Sequence, residues 1–146
     1  MSGLESLYQE LILDHSKRPH GKGLAADAAA TSHQVNPTCG DEITLGVRVD
    51  GDRVVDVTWD GAGCSISQAS ASMLASLVEE EGGLSRSAAS ALIDGFRTAL
   101  RSRGETPLDE DTFGDAAALS GVSKYTARVK CAMLAWVAFE DALAKA

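Results

Sequence analysis

The amino-acid sequence predicts an α+β fold in a single domain, residues 1–146, with a small three-stranded antiparallel sheet and helices packed against it. Three observations lead there. Residues 42–60 alternate apolar and polar side chains with a period of two, the pattern of half-buried strands. After Gly61-Ala62-Gly63 the period changes to 3.6 and recurs in later segments. A chain of 146 residues with 45% hydrophobic side chains is long enough for one core, and no internal repeat or linker divides it.

Leu4, Leu7, Leu11 and His15 fall at helical spacing, predicting an opening amphipathic helix that ends near Arg18-Pro19. Residues 21–30 are small and featureless and read as a surface loop. A first strand is predicted through Ser32 to Val35. Ile43, Leu45, Val47 and Val49 then line one face of a strand, with Glu42, Thr44, Gly46 and Arg48 on the other. Asp50-Gly51 signals a hairpin turn, and the return strand sets Val55, Val57 and Trp59 against Asp56, Thr58 and Asp60. Ile66, Ala69, Met73 and Leu77 line a helix that stops at Gly82-Gly83. Ala89, Leu92, Ile93, Phe96 and Leu100 mark the next one, with Ser85 as its N-cap. Residues 102–115 are polar, contain Gly104 and Pro107, and read as an exposed loop. A short helical stretch, Ala116 to Leu119, ends at Gly121. The last helix begins near Thr126, and Cys131, Met133, Leu134, Trp136, Val137 and Phe139 make it apolar on most sides, as in a helix laid on the core.

The formal net charge of −8 argues against a DNA or RNA role, because phosphate binding needs a basic footprint. An acidic face suits a basic patch on a partner protein instead. No stretch approaches the ~20 apolar residues of a membrane span. The first residues, Met1 to Tyr8, lack the basic and apolar blocks of a signal peptide. A soluble, cytoplasmic protein is expected. In that reducing compartment an odd set of three cysteines, Cys39, Cys64 and Cys131, points to metal binding or thiol chemistry rather than to disulfides.

Each cysteine sits where an element starts or ends. Cys39 lies between Pro37 and Gly40, just before the alternating strand, in a loop that can present side chains at unusual angles. Cys64 follows Gly61-Ala62-Gly63 and opens a helix, where unpaired N–H groups and the positive dipole end favour a thiolate. Cys131 follows the cations Arg128 and Lys130 at the start of the last helix. Read alone, it is equally well a buried core residue. Zinc takes four ligands, so three thiolates leave one place for Asp41, on the same loop as Cys39, or for His33 on a neighbouring strand. Arg128 and Lys130 would offset part of the charge of such a site. His15 and His20 read as surface or helix-end histidines, and the Met73–Leu77 stripe as core. A zinc deaminase is disfavoured because the chain lacks both a His-x-Glu and a Cys-x-x-Cys pair. A metal that only holds the fold together is a further alternative.

Three segments carry a resemblance: Asn36-Pro-Thr-Cys-Gly-Asp41, Gly61-Ala-Gly-Cys-Ser-Ile-Ser-Gln-Ala-Ser70 and Arg128-Val-Lys-Cys-Ala-Met-Leu-Ala-Trp136. With Leu7-Tyr8, Ile12-Leu13-Asp14-His15 and Arg18-Pro19 of the opening helix, they resemble the SufU branch of the IscU-like family across nearly the whole chain. Lys130 stands where scaffold members carry a histidine. The long interval between Cys64 and Cys131 is likewise similar to the SufU branch. The resemblance implies a SufE/IscU-like fold, and zinc held by Cys39, Asp41, Cys64 and Cys131. It implies Cys39 as the sulfur acceptor of a sulfurtransferase, with Arg128 and Lys130 beside the site or at the partner. The sulfur donor it implies is a SufS-type cysteine desulfurase, a pyridoxal-phosphate enzyme, and the recipient a downstream iron–sulfur scaffold. The rival reading keeps the same ligands and makes the chain a scaffold that assembles a 2Fe–2S cluster, since thiolates suit iron and zinc alike.

Overall fold

The computed structural model describes residues 3–146, with side chains from Ser6 onward; Leu4, placed above on the apolar face of the first helix, lies outside the described side chains. The chain runs α1 (Gly3–Lys17), β1 (Ala30–Asn36), β2 (Asp41–Asp50), β3 (Arg53–Ala62), α2 (Ser65–Glu80), β4 (Leu84–Ser85), α3 (Arg86–Leu100), α4 (Glu110–Phe113), a 3-10 stretch (Gly114–Lys124) and α5 (Thr126–Lys145). The strands make one antiparallel sheet in chain order, β1-β2-β3-β4. The α+β class and the first three strands are those the alternation predicts. β4 adds a two-residue edge, Leu84 opposite Val54 and Ser85 opposite Arg53, too short to show a period of its own.

One face of the sheet is covered. α5 lies across β1 and β2, α2 lies on β3, and α1 packs outside α2. Leu45, Val47, Val57 and Trp59 from the sheet meet Met73, Leu74 and Val78 of α2 and Trp136 and Phe139 of α5, all buried. Trp136 stacks on Phe96 of α3 with ring centroids 4.0 Å apart and planes within 8°. Its indole N–H donates to Ser70 Oγ, which in turn donates to the Ala132 carbonyl, so the polar groups of this aromatic layer are satisfied. Ser85 caps α3 as expected, accepting from the Ala88 N–H at 3.1 Å.

Four local readings change. In α1 the inward-facing stripe is the partly buried Tyr8, Leu11 and Ile12 with the buried His15, whereas Leu7 is half exposed. In β3 Val57 and Trp59 point inward, but Val55 is exposed and Val54 takes the buried place. A bulge causes this: Arg48 faces Asp56 while Val49 faces Val54, so Val55 has no opposite number and the alternation changes phase. The polar segment 102–115 is not wholly a loop. Leu108 and Phe113 are buried, and Phe113 leans on both Phe96 and Trp136. The helical stretch predicted for 116–119 is wound as a 3-10 helix over Gly114–Lys124.

His15 also departs from its surface assignment. It sits at a helix end as expected, yet is 4% exposed. Nδ1 lies 2.7 Å from Ser72 Oγ of α2 and Nε2 2.8 Å from Asp115 Oδ2 of the 3-10 stretch. Among the described residues no helix is long and apolar enough to cross a membrane.

Candidate metal and thiol centre

The ends of three elements converge at one corner of the sheet. Between β1 and β2 the chain turns over residues 37–40, where the N–H groups of Cys39 and Gly40 both donate to the Asn36 carbonyl, at 3.3 and 2.9 Å. Gly40 has φ of +73°, a conformation that residues with a Cβ adopt only under strain. The turn leaves Cys39 exposed and makes Asp41 the first residue of β2, fully buried. β3 leads through Gly63 into Cys64, the N-cap residue of α2, with extended backbone. The Cys64 N–H donates to Asp41 Oδ1 at 2.8 Å, which ties the helix start to the strand start. Cys131 lies in the second turn of α5 and is 3% exposed. Its thiol faces the Ala127 carbonyl at 3.8 Å and the Cys39 sulfur at 3.5 Å.

Cys39 Sγ, a carboxylate oxygen of Asp41 and Cys131 Sγ all lie within 4.8 Å of one another. Cys64 Sγ stands at the margin of this group, 3.9 Å from Asp41 Oδ2. Positions 39, 41, 64 and 131, distant in sequence, are therefore neighbours in space. His33 is not among them: it is exposed and bonded to Glu42 at 2.6 Å. Arg128 extends its guanidinium over the Tyr125 ring, 5.4 Å from the centroid, and Lys130 is exposed. Among the described residues neither forms an ion pair with Asp41. A groove of about 410 Å³ lies between α1, the 3-10 stretch and the start of α5, with Ile66, Tyr125 and Arg128 on its wall.

The electrostatics favour a cation. Burial, followed by hydrogen bonding with Asp41, Cys39 and Cys64, pushes the Cys131 thiol far above its ordinary range. A thiol raised in this way keeps its proton by itself, and a positive ion beside it reverses the effect. Sulfur and carboxylate donors suit zinc or iron. The spacing agrees, since the edge of a tetrahedron with 2.3 Å metal–sulfur bonds is about 3.8 Å, near the observed separation of the two thiols.

Sequence reasoning passed over Ser67 and Gly63. Ser67 Oγ donates to the Cys64 carbonyl at 3.0 Å and lies 4.0 Å from its sulfur. Its place three residues after a helix-opening cysteine was the available signal. Gly63 leaves room for the site: a Cβ there would collide with Asp41 Oδ1 and Ser67 Oγ.

A family model described as the NifU-like N-terminal domain matches residues 7–132. The zinc-dependent sulfurtransferase SufU of Bacillus subtilis (strain 168) is 41% identical over 144 residues, 99% of this chain and 94% of that protein. The iron–sulfur cluster assembly scaffold protein IscU of Streptococcus pyogenes serotype M1 is also 41% identical, over 143 residues, 98% of this chain and 86% of that protein. The crystal structure of a protein for the SUF system from Fervidobacterium islandicum AW-1 superposes with a TM-score of 0.77 at 34% identity, covering 95% of this chain and 98% of that one. With sequence and fold matching over most of its length, the chain belongs to the NifU-like N-terminal domain family.

Proposed function

We propose that this chain is a zinc-dependent sulfurtransferase that takes persulfide sulfur from a SufS-type cysteine desulfurase, a pyridoxal-phosphate enzyme, onto Cys39. It works in the cytoplasm and hands the sulfur to a downstream iron–sulfur scaffold. The observation that carries the reading is the pairing of an exposed cysteine on a tight turn with a buried thiol and a buried carboxylate directly behind it. Cys39, Asp41, Cys64 and Cys131 would hold zinc. Bound there, zinc supplies the positive charge that keeps these thiols deprotonated near neutral pH.

The chemistry asked of Cys39 is thiol–persulfide exchange. Its thiolate attacks the outer sulfur of the donor's persulfide. The new S–S bond forms on Cys39 as the donor's S–S bond breaks, and the donor cysteine leaves as a thiolate. One sulfur atom moves with no net oxidation. A thiolate that shares its lone pair is a weaker nucleophile, so the acceptor has to be the residue freest to swing outward. Cys39 meets that condition, on an exposed turn held by two hydrogen bonds to one carbonyl. Cys131 is buried in α5, and the Cys64 backbone is tied to Asp41. Arg128, exposed on the wall of the groove and three residues before Cys131, is the residue suited to meet the partner.

A scaffold role on the same four residues is the second reading, favoured by the equal identity to the Streptococcus relative. Lys130, immediately before Cys131, weighs toward the transferase. Desulfurase turnover with reductant decides between them. Zinc-loaded protein should accelerate a SufS-type enzyme strongly and its Cys39→Ala variant should not. If neither accelerates it, the transferase reading falls. Stable loading with iron and sulfide under anaerobic conditions would then support the scaffold.

A further inference from the structure

We infer that Cys39 and Cys131 form a redox lock. A hydroperoxide oxidises Cys39, Cys131 closes a disulfide onto it, and both sulfurs are withdrawn from metal binding and sulfur acceptance until a dithiol reductant reopens the bond. The closure rests on the geometry of the two thiols alone. Its consequence for metal and sulfur rests on the function proposed above.

The two sulfurs lie 3.5 Å apart, a contact distance, although the residues are 92 positions apart in the chain. A disulfide spans about 2.0 Å, so about 1.5 Å of approach remains. Cys39 can supply it, on an exposed turn tied by two hydrogen bonds to one carbonyl. Cys131 is held in the second turn of α5 and is 3% exposed. Exposure therefore divides the roles. Cys39 is open to a small oxidant, while Cys131 is shielded from it and touches Cys39. An accessible cysteine poised beside a resolving one is the arrangement of peroxide-sensing pairs. Cys64 is exposed as well, but its sulfur faces the Asp41 carboxylate at 3.9 Å and the Ser67 hydroxyl at 4.0 Å. Its backbone N–H is also tied to Asp41, which leaves Cys39 the better placed partner for Cys131.

With hydrogen peroxide as oxidant the chemistry balances. The Cys39 thiol takes one oxygen, giving a sulfenic acid and one water. The Cys131 sulfur attacks the sulfenic sulfur, the S–S bond forms as the S–O bond breaks, and a second water leaves with the Cys131 proton. Two thiols have lost two electrons and two protons, and the peroxide is reduced to water. The disulfide takes away two of the four proposed ligands together. It also stops Cys39 short of the sulfinic and sulfonic acids that thiol reductants do not reverse.

Trypsin cuts after Arg48, Arg53 and Lys130 place the three cysteines in separate peptides, so mass spectrometry can name the bonded pair. Zinc-loaded protein is exposed to hydrogen peroxide, remaining thiols are blocked, and released zinc is followed with a coloured chelator. A Cys39–Cys131 cross-link should appear in step with zinc release, and dithiothreitol should reverse both. Cys64→Ser should keep the cross-link. Cys131→Ser should instead accumulate sulfinic acid at Cys39 several-fold faster than wild type. A wild-type cross-link that mainly involves Cys64 overturns the proposal, as does oxidation of Cys39 past the sulfenic acid without a cross-link. Three thiols left intact would overturn it too. A protein that holds no zinc beforehand yet still joins Cys39 to Cys131 would uphold the closure and refute the metal reading, so the two failures are told apart.

Discussion

Gly63 and His15 show how single residues set this centre and its support. Because the space a Gly63 side chain would need is filled by Asp41 Oδ1 and Ser67 Oγ, Gly63→Ala must displace the carboxylate or the helix start. Its effect should resemble loss of a group that orients ligands, a fall in zinc affinity of about 10–100-fold. Competition with a coloured chelator would measure it, and unchanged affinity would remove Asp41 from the ligand set. Cys39→Ala, in contrast, should leave the fold intact and abolish sulfur uptake. His15 acts at a distance from the sulfurs. Its ring joins α1, α2 and the 3-10 stretch through Ser72 and Asp115. Ser72 Oγ also receives the His20 N–H at 2.8 Å, so an acceptor at Nδ1 and a donor at Nε2 satisfy the whole chain. His15→Ala leaves the buried Ser72 hydroxyl without its ring partner and should cost about 1–3 kcal/mol, read from urea unfolding.

At the scale of elements, β1 is held from both sides. β2 pairs along its full length, and α5 lies across it. Ser32 of β1 donates to Asp141 Oδ2 of α5 at 2.7 Å, and Lys145 pairs with the same oxygen at 3.0 Å. The Ser32 hydrogen bond, more than the lysine, holds the Asp141 carboxyl below its usual range. A carboxylate whose pKa is depressed on folding adds stability that is fully present above its unfolded value, near 3.9, and is lost as pH falls through the folded value. Asp141→Asn should therefore lower stability at neutral pH and converge with wild type in acid. Equal differences at both pH values would contradict this account. The bulge in β3 works at the same scale. By dropping Val55 out of register it turns Val54 inward beneath the sheet edge, without disturbing the pairing of Ile43 with Gly61 that leads to the site.

Across the whole molecule, the helices that supply Cys64 and Cys131 are fixed by the core rather than by each other's sulfurs. α5 brings Trp136 onto Phe96 and Phe113, and its backbone at Ala132, next to Cys131, accepts from Ser70 of α2 at 2.6 Å. Trp136→Ala should cost about 3–5 kcal/mol and lower Tm by roughly 6–20 °C. On the proposed ligand assignment it should also weaken metal binding, because the α2–α5 spacing sets the distance between the Cys64 and Cys131 sulfurs. A variant with the lower Tm and unaltered metal affinity would show the site to be independent of this packing.

The local character of most elements was legible in the chain because it depends on near neighbours in sequence. Alternation from Ile43 to Val49 gave β2, the glycines after Glu80 stopped α2, and Ser85 capped α3. The three motifs single out Cys39, Asp41, Cys64 and Cys131 as candidates through the resemblance they carry. Features decided by groups far apart in sequence were not legible. The phase of Val54 and Val55 depends on which Arg48 and Val49 pairing the hairpin adopts. The burial of His15 requires Ser72 and Asp115, 57 and 100 residues away. Phe113 is drawn out of a polar segment because Phe96 and Trp136 offer it an apolar wall. So the sequence by itself determined the types of most elements, the cysteine-bearing turns and the acidic composition, all consequences of local conformational preference and composition. Only the tertiary structure decided that Cys39, Asp41 and Cys131 share one point with Cys64 at its margin, and that His33 stands apart from them. Those outcomes follow from how strands and helices pack, and packing is settled by contacts that no short stretch of the chain contains.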